Sequence, residues 1–358
     1  MGHQQWEVEM KALVYHGPGR RSWEEVPDPS VKDPEDAIVR VDAVTICGTD
    51  LHILGGDVPT VESGRVLGHE AVGTVQEVGT GVRNVAVGDR VLVSCISACG
   101  RCRYCREARY GQCLGGGGWI LGHRIDGTQA EQVRVPFADT STYQLPDDVS
   151  DEAAVMLADI LPTSYEVGAL NGHVRPGDTV VVIGAGPIGL AAVLTCKLFS
   201  PSHLVVVDKA PARREAALRL GADIALDVDE DAAGTLAGLT DGLGADVAIE
   251  AVGVPATFER CVELVRPGGR VANVGVHGSP ATLHLETAWI RNLTITTGLV
   301  DTYSTPTLLR MVASGQLDVS GLVTHRFGVQ EMQDAYDVFS KPAETDALKV
   351  VLYRSQHH

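Results

Sequence analysis

Val180-Val181-Val182-Ile183-Gly184-Ala185-Gly186-Pro187-Ile188-Gly189-Leu190-Ala191-Ala192 is the stretch on which the fold turns. Four β-branched residues in a row read as a strand buried on both faces. The glycines that follow fit G-x-G-x-x-G, and the apolar run beyond them, as far as Phe199, reads as a helix. The first glycine permits the tight turn, the second lets backbone approach a pyrophosphate, and the third lets helix and strand pack closely. The helix N-terminus offers free N–H groups and positive dipole charge to phosphates. Gly184, Gly186, Pro187, Ile188 and Gly189 are therefore the expected dinucleotide-binding residues.

Downstream, Leu204-Val205-Val206-Val207 reads as a second strand and ends at Asp208, close to the spacing of about 20 residues expected for a ribose-binding acid. A carboxylate there accepts the adenosine ribose hydroxyls and repels a 2′-phosphate, which favours NAD over NADP. Lys209 and Arg213 leave room for some NADP tolerance, and a solvated aspartate at a strand end is the plain alternative. Further strands are expected at Val247–Ile249, Val271–Val274 and Leu293–Thr296. Strand and helix in alternation predict an α/β, doubly wound parallel sheet with helices on both faces. After Asp301 two short helices and a final strand, Ala347–Leu352, are expected to return to the first domain.

Upstream the rhythm differs. Ala37–Val41, Gly73–Val78 and Arg90–Val93 are short β-type runs broken by Gly and Pro, the pattern of a compact β-rich unit. With 358 residues, two domains are expected: 1–160 with 301–358, and 161–300.

Cys99-x2-Cys102-x2-Cys105-x7-Cys113 is the sharpest metal signal. Four thiolates at such spacings can close all four positions of a tetrahedral zinc, pinning a loop without taking part in chemistry; an iron–sulfur centre is the other occupant of this kind. Arg101, Arg103, Arg106 and Arg109 would offset its negative charge, and Cys95 is left over. Cys196 and Cys261 fall in apolar helical patterns and read as core thiols. A second metal centre, with three protein ligands and one open position, has candidates upstream in Cys47, His52 and the pair His69-Glu70.

A net charge of -17 argues against nucleic acid or an anionic membrane surface as partner. No apolar run approaches the roughly 20 residues of a membrane helix, and the N-terminus lacks the order of a signal peptide. A cytoplasmic protein is expected, its cysteines held as metal ligands and not as disulfides.

Taken together the motifs resemble one family. Gly68-His69-Glu70-Ala71-Val72-Gly73, followed by Gly79 and Val82, is similar to the G-H-E-x2-G-x5-G-x2-V signature of zinc-containing medium-chain alcohol dehydrogenases. Cys47-Gly48-Thr49-Asp50-x-His52, the four-cysteine loop and the Gly-rich turn stand in that family's order and spacing, and the resemblance runs from Met10 onward. It implies a GroES-like catalytic domain holding both zincs, split around a Rossmann domain, with the active site in the cleft.

The resemblance also implies roles. Cys47 and His69 become catalytic zinc ligands, Thr49 holds the substrate hydroxyl, and a proton passes through the nicotinamide ribose to His52. Glu70 becomes an outer or exchanging ligand. The third-ligand segment, Met156–Thr163, has no Cys and offers Asp159, as in the branch resembling bacterial secondary-alcohol dehydrogenases. Otherwise Asp159 caps the segment leading to Pro162 and Glu70 supplies the third bond. Trp119 lines the substrate pocket or is a core aromatic. Val274 and Val276 lie along the nicotinamide, and Lys349 reaches the pyrophosphate.

The implied reaction is reversible hydride transfer between NAD(H) and an alcohol, ketone or aldehyde, secondary alcohols favoured. A polyol or vicinal-diol dehydrogenase is the alternative, and an NAD(H)-binding relative without activity is disfavoured by the intact ligand set. Two Zn²⁺ per subunit, NAD, a small-molecule substrate and a homo-oligomer, tetramer favoured over dimer, complete the expectation.

Overall fold

The computed structural model describes residues 9–354. The chain divides into two compact units. One takes the described residues up to Asp159 with Asp301–Ala313 and everything from Val323 on; the other takes Ile160–Val300 and Ser314–Leu322.

The second unit is built on six parallel strands, in the order Ile224–Leu226, His203–Val207, Thr179–Ile183, Ala245–Glu250, Val265–Asn273, Thr294–Thr297. The first strand in sequence is thus central, and the strand order reverses beside it, the point at which such sheets receive ligands at their carboxyl ends. Thr179–Ile183 is buried throughout, which explains its unbroken β-branched run. Gly184 follows with φ +97°, a conformation that costs other residues a steric penalty. Helix Pro187–Lys197 starts with its proline in the first turn, where a missing N–H is harmless. It ends two residues before Phe199, and Phe199 lies in a turn. A Cβ on Gly189 would stand 1.8 Å from the Gly184 carbonyl oxygen, so helix and turn meet only because that side chain is absent.

The first unit holds a seven-stranded sheet. Its main path runs Val323–Gly328, Lys349–Tyr353, Ala37–Thr45, Ala71–Val78, Arg90–Val93, Thr142–Gln144, with Gln132–Val135 also paired to Ala37–Thr45. A smaller sheet pairs Glu9–Tyr15 with Arg21–Pro27 and Arg65–Val66. The main apolar core of the unit runs from Leu13 through Ile46, Leu67 and Val91 to Tyr336 and Leu352, with smaller clusters around Val14 and around Cys99.

The tail differs from the expected two helices and a strand. It adds the strand Val323–Gly328, parallel to Lys349–Tyr353, and a helix at Pro342–Thr345. Residues 314–322 belong with the second unit, where Leu317 and Leu322 are buried and Gly321 lies against Leu220.

Candidate metal centres and nucleotide site

Strand Ala37–Thr45 ends in the buried Ile46 and Cys47, and Cys47 is the N-cap of helix Gly48–Gly55. Strand Ala71–Val78 is preceded by Gly68-His69-Glu70, in which Gly68 adopts φ +93°. These two strands are paired, with Val44 opposite Ala71, so Cys47 and His69 emerge from the same end of the sheet. Asp159 closes the group from the segment after helix Asp151–Val155.

The result is a compact cluster. One donor atom each from Cys47, His69, Glu70 and Asp159 lies within 4.8 Å of the others. Asp159 Oδ2 stands 3.5 Å from Cys47 Sγ and 3.4 Å from His69 Nε2. Burial and the carboxylates of Asp159 and Glu70 push the Cys47 thiol up. Burial opposes a charge on His69, yet Asp159 and Cys47 together hold its imidazole well above its ordinary range. A buried thiol facing the buried Glu70 and the partly buried Asp159 is a costly arrangement without a cation. Zinc fits the donor set: one thiolate and one carboxylate cancel its charge, and imidazole suits it.

Glu70 is fully buried. Its Oε2 accepts a 2.7 Å bond from the Lys349 ammonium, and its Oε1 has no partner. Burial raises the Glu70 carboxyl against the pull of Lys349. Lys349, which the resemblance assigns to the pyrophosphate, forms a buried ion pair here. Its side chain is 1% exposed, and its amine is held by Glu70 and the Ile46 carbonyl. The sequence showed a cation on a strand but not the direction in which it points.

Thr49 Oγ1 lies 3.6 Å from Cys47 Sγ. His52 sits one turn further along the helix, outside the four-donor cluster, with Nδ1 2.9 Å from Asp57 Oδ2. Trp119 meets the His69 ring edge-on at 6.1 Å and stacks on His123 at 4.4 Å. His123 is held in turn by Thr60 and by the Trp119 carbonyl.

The second cluster is Cys99, Cys102, Cys105 and Cys113, whose sulfurs also lie within 4.8 Å of one another. Cys99 and Cys105 are 3.9 Å apart, close to the edge of about 3.8 Å that a tetrahedron of Zn–S bonds requires. Backbone N–H groups of Cys105 and Leu114 lower the Cys102 thiol to about 6. Cys113 is lowered too, because N–H groups of Cys99, Gly115 and Gly117 outweigh its burial. Burial and its thiol neighbours push Cys105 up to about 12. Such mixed tendencies in one cluster are resolved when a cation takes all four as thiolates. Arg101 is engaged by Glu35, and Arg103 by Glu107.

In the other unit, the expected nucleotide residues gather at the carboxyl ends of the central strands. Asp208 is buried and accepts from Ala185 N–H at 2.7 Å and Ala210 N–H at 2.8 Å, one bond to each oxygen. It thereby holds the Gly-rich turn and keeps lone pairs for other donors. Gly186 has no atom closer to its Cβ position than Arg213 Nη1, at 3.8 Å, so this backbone lies open. Val274 follows strand Val265–Asn273, and Val276 is exposed.

Four residues with no role in the sequence reading join the first cluster or its surroundings: Asp50, Gln129, Tyr336 and Asp57. Asp50 lay inside a quoted motif; the others carry no local signature.

Comparison with known proteins agrees with this geometry. Residues 33–147 match the alcohol dehydrogenase GroES-like domain, and residues 187–314 match the zinc-binding dehydrogenase domain. The chain is 36% identical to an alcohol dehydrogenase of Cupriavidus necator, covering 96% of this chain and 98% of the relative. Among solved structures it is similar to zinc dependent alcohol dehydrogenase 2 from Streptococcus pneumonia, with TM-score 0.93, 50% identity and coverage of 98% and 99%. It is also similar to alcohol dehydrogenase TADH from Thermus sp. ATN1, with TM-score 0.90, 38% identity and coverage of 97% and 100%. With a β-rich unit that gathers two metal-ligand clusters and a parallel-sheet unit that carries the Gly-rich turn, the chain belongs to the zinc-containing medium-chain alcohol dehydrogenase family.

Proposed function

We propose that the chain is an NAD-linked dehydrogenase that interconverts secondary alcohols and ketones, with Cys47, His69 and Asp159 as the protein ligands of a catalytic zinc. The observation that supports this is the four-donor cluster, in which Asp159 Oδ2 lies 3.5 Å from Cys47 Sγ and 3.4 Å from His69 Nε2 while Glu70 is held by Lys349. When bound, zinc supplies Lewis acidity that lowers the pKa of an alcohol. Thr49, beside Cys47, would accept a hydrogen bond from the substrate hydroxyl and, giving up its own hydroxyl proton as it receives the substrate's, begin a relay toward His52. His52, backed by Asp57, passes the proton to solvent. Trp119, edge-on to His69, bounds the space for the alcohol's substituents. Nicotinamide is the hydride acceptor, and the fold contributes position and exclusion of water.

The preference for NAD rests on Asp208, whose carboxylate repels a 2′-phosphate. The four cysteines of the loop hold a second zinc that serves stability alone. Homo-oligomerisation, with a tetramer favoured, is supported by Leu285, Trp289 and Ile290, exposed at 63%, 72% and 67% next to the edge strand Thr294–Thr297. Among the described residues no helix is long and apolar enough to cross a membrane, and a reducing cytoplasm suits the thiol clusters.

The deciding experiment pairs a substrate screen with Asp159→Ala. Secondary alcohols with NAD should give the largest kcat/KM, and Asp159→Ala should remove most of kcat and weaken the catalytic zinc. Asp159→Cys should recover part of both. A preference for vicinal diols would move the substrate class to polyols. A zinc-loaded structure with the Asp159 carboxylate well beyond about 2.2 Å from the ion would overturn the ligand assignment.

A further inference from the structure

Behind the Cys47–His69 pair lies a buried polar chain that starts at Asp50 and continues into Gln129 and Tyr336, two residues outside the family motifs. Asp50 Oδ2 accepts the Cys47 N–H at 2.9 Å, and Asp50 Oδ1 faces His69 Nδ1 at 3.8 Å. Both facing atoms are buried and otherwise unpartnered. One carboxylate therefore spans the two ligand-bearing residues. Gln129 Nε2 donates to the same Asp50 Oδ2 at 2.9 Å, and Gln129 Oε1 accepts from the Tyr336 hydroxyl at 2.7 Å. The Asp50 carboxylate fixes which end of the amide faces it, since an ionised carboxylate only accepts, and this leaves Oε1 to receive the phenol hydrogen.

The chain is rigid by packing. Gln129 and Tyr336 are both fully buried. A Cβ on Gly68, the residue before His69, would lie 2.6 Å from Gln129 Cγ and 2.8 Å from its N, so Gln129 also braces the turn that presents His69. Tyr336 is carried by helix Met332–Phe339, which buries Met332, Ala335, Tyr336 and Phe339 at helical spacing. Its ring lies under the Arg21 guanidinium at 4.8 Å, and Arg21 is anchored on Asp337.

We propose that Gln129 and Tyr336 are positioning residues for the metal cluster, acting through Asp50 to set the aim of Cys47 and His69. This rests on the reading of Cys47, His69 and Asp159 as ligands. Groups that orient metal-bound imidazoles typically change metal affinity by about 10–100-fold when removed. Tyr336→Phe deletes one hydroxyl and keeps the ring packing. Gln129→Leu removes both links at once.

The test is zinc affinity by chelator competition on the full chain, with Cys47→Ser marking which binding step belongs to this cluster. Tyr336→Phe should weaken that step by about 10-fold and Gln129→Leu by more, while the melting temperature of the metal-free protein changes far less for Tyr336→Phe. Adding Tyr336→Phe to Gln129→Leu should have no further effect, because the hydroxyl acts through the amide. A merely structural tyrosine would lower the metal-free melting temperature and leave affinity within about twofold, which overturns the proposal. Additive effects in the double variant overturn the order Tyr336, Gln129, Asp50. If the parent chain shows no binding step sensitive to Cys47→Ser, the ligand reading itself fails; if it does and the variants bind equally, only this inference fails.

Discussion

Lys349 and Glu70 form an ion pair 2.7 Å long with both side chains 1% exposed, joining strand Lys349–Tyr353 to the turn that carries His69. Removing one member of a buried pair leaves an uncompensated charge and costs about 3–5 kcal/mol. Lys349→Met should therefore lower the melting temperature markedly, and Glu70→Gln in that background should restore part of it. The deficit should also shrink as pH falls. Burial and the Asp159 carboxylate then raise the Glu70 carboxyl against the pull of His69, so the folded state takes up a proton more readily than the unfolded chain and gains stability toward acid. Thermal melts of both variants across pH decide this; a deficit independent of pH would show that Glu70 is not the group left behind.

Loop zinc is expected to serve stability only. Cys102→Ser should lower zinc content from about two to about one per subunit, since a tetrathiolate site cannot close on three sulfurs. The folded fraction should keep its kcat. Elemental analysis with an active-site titration checks both halves, and full activity at one zinc or fewer in the parent would refute the two-zinc reading.

Cofactor choice is expected to rest on Asp208. Asp208→Gly would orphan two backbone donors, Ala185 N–H and Ala210 N–H, at about 1–3 kcal/mol each. Asp208→Asn keeps one acceptor and removes the charge. It should narrow the ratio of kcat/KM for NAD over NADP with a smaller loss of stability. A parent enzyme that prefers NADP would overturn the assignment.

His52 is expected to move a proton and not to hold metal, as its place outside the donor cluster implies. His52→Gln should slow alcohol oxidation most at low pH, where water is a poor substitute for the base, and should leave zinc content unchanged. Asp57→Asn should produce a weaker effect of the same kind. Loss of catalytic zinc from His52→Gln would show a ligand in place of a relay.

What could be read in the sequence was whatever lies close together along the chain. The turn Gly184–Gly189 and the four cysteines each place their members within one short segment, so spacing exposes them as candidates, while the roles in the Cys47–His52 segment came from the family resemblance. Asp159 required the family pattern, because nothing local separates it from a capping aspartate. The pairing of Lys349 with Glu70 was not legible, because the two stand 279 residues apart and strand periodicity does not say which buried group an amine will meet. Gln129 and Tyr336 were invisible for the same reason, their contact spanning 207 residues. The excursion of residues 314–322 into the nucleotide unit depends on a few apolar side chains, too few to mark a boundary by composition.

Strand Lys349–Tyr353 lies inside its sheet, between Val323–Gly328 and the Ala43–Thr45 end of strand Ala37–Thr45. Synthesis delivers it late. A nascent chain can complete the nucleotide unit once Leu322 has emerged, because domains fold as units in the order they appear. The seven-stranded sheet still lacks an interior strand at that moment, Ala43–Thr45 presents an unpaired edge, and Glu70 is without its counter-ion. A chain stopped short of residue 349 would have every strand of the parallel sheet and would leave Glu70, next to His69, without the ammonium that pairs with it.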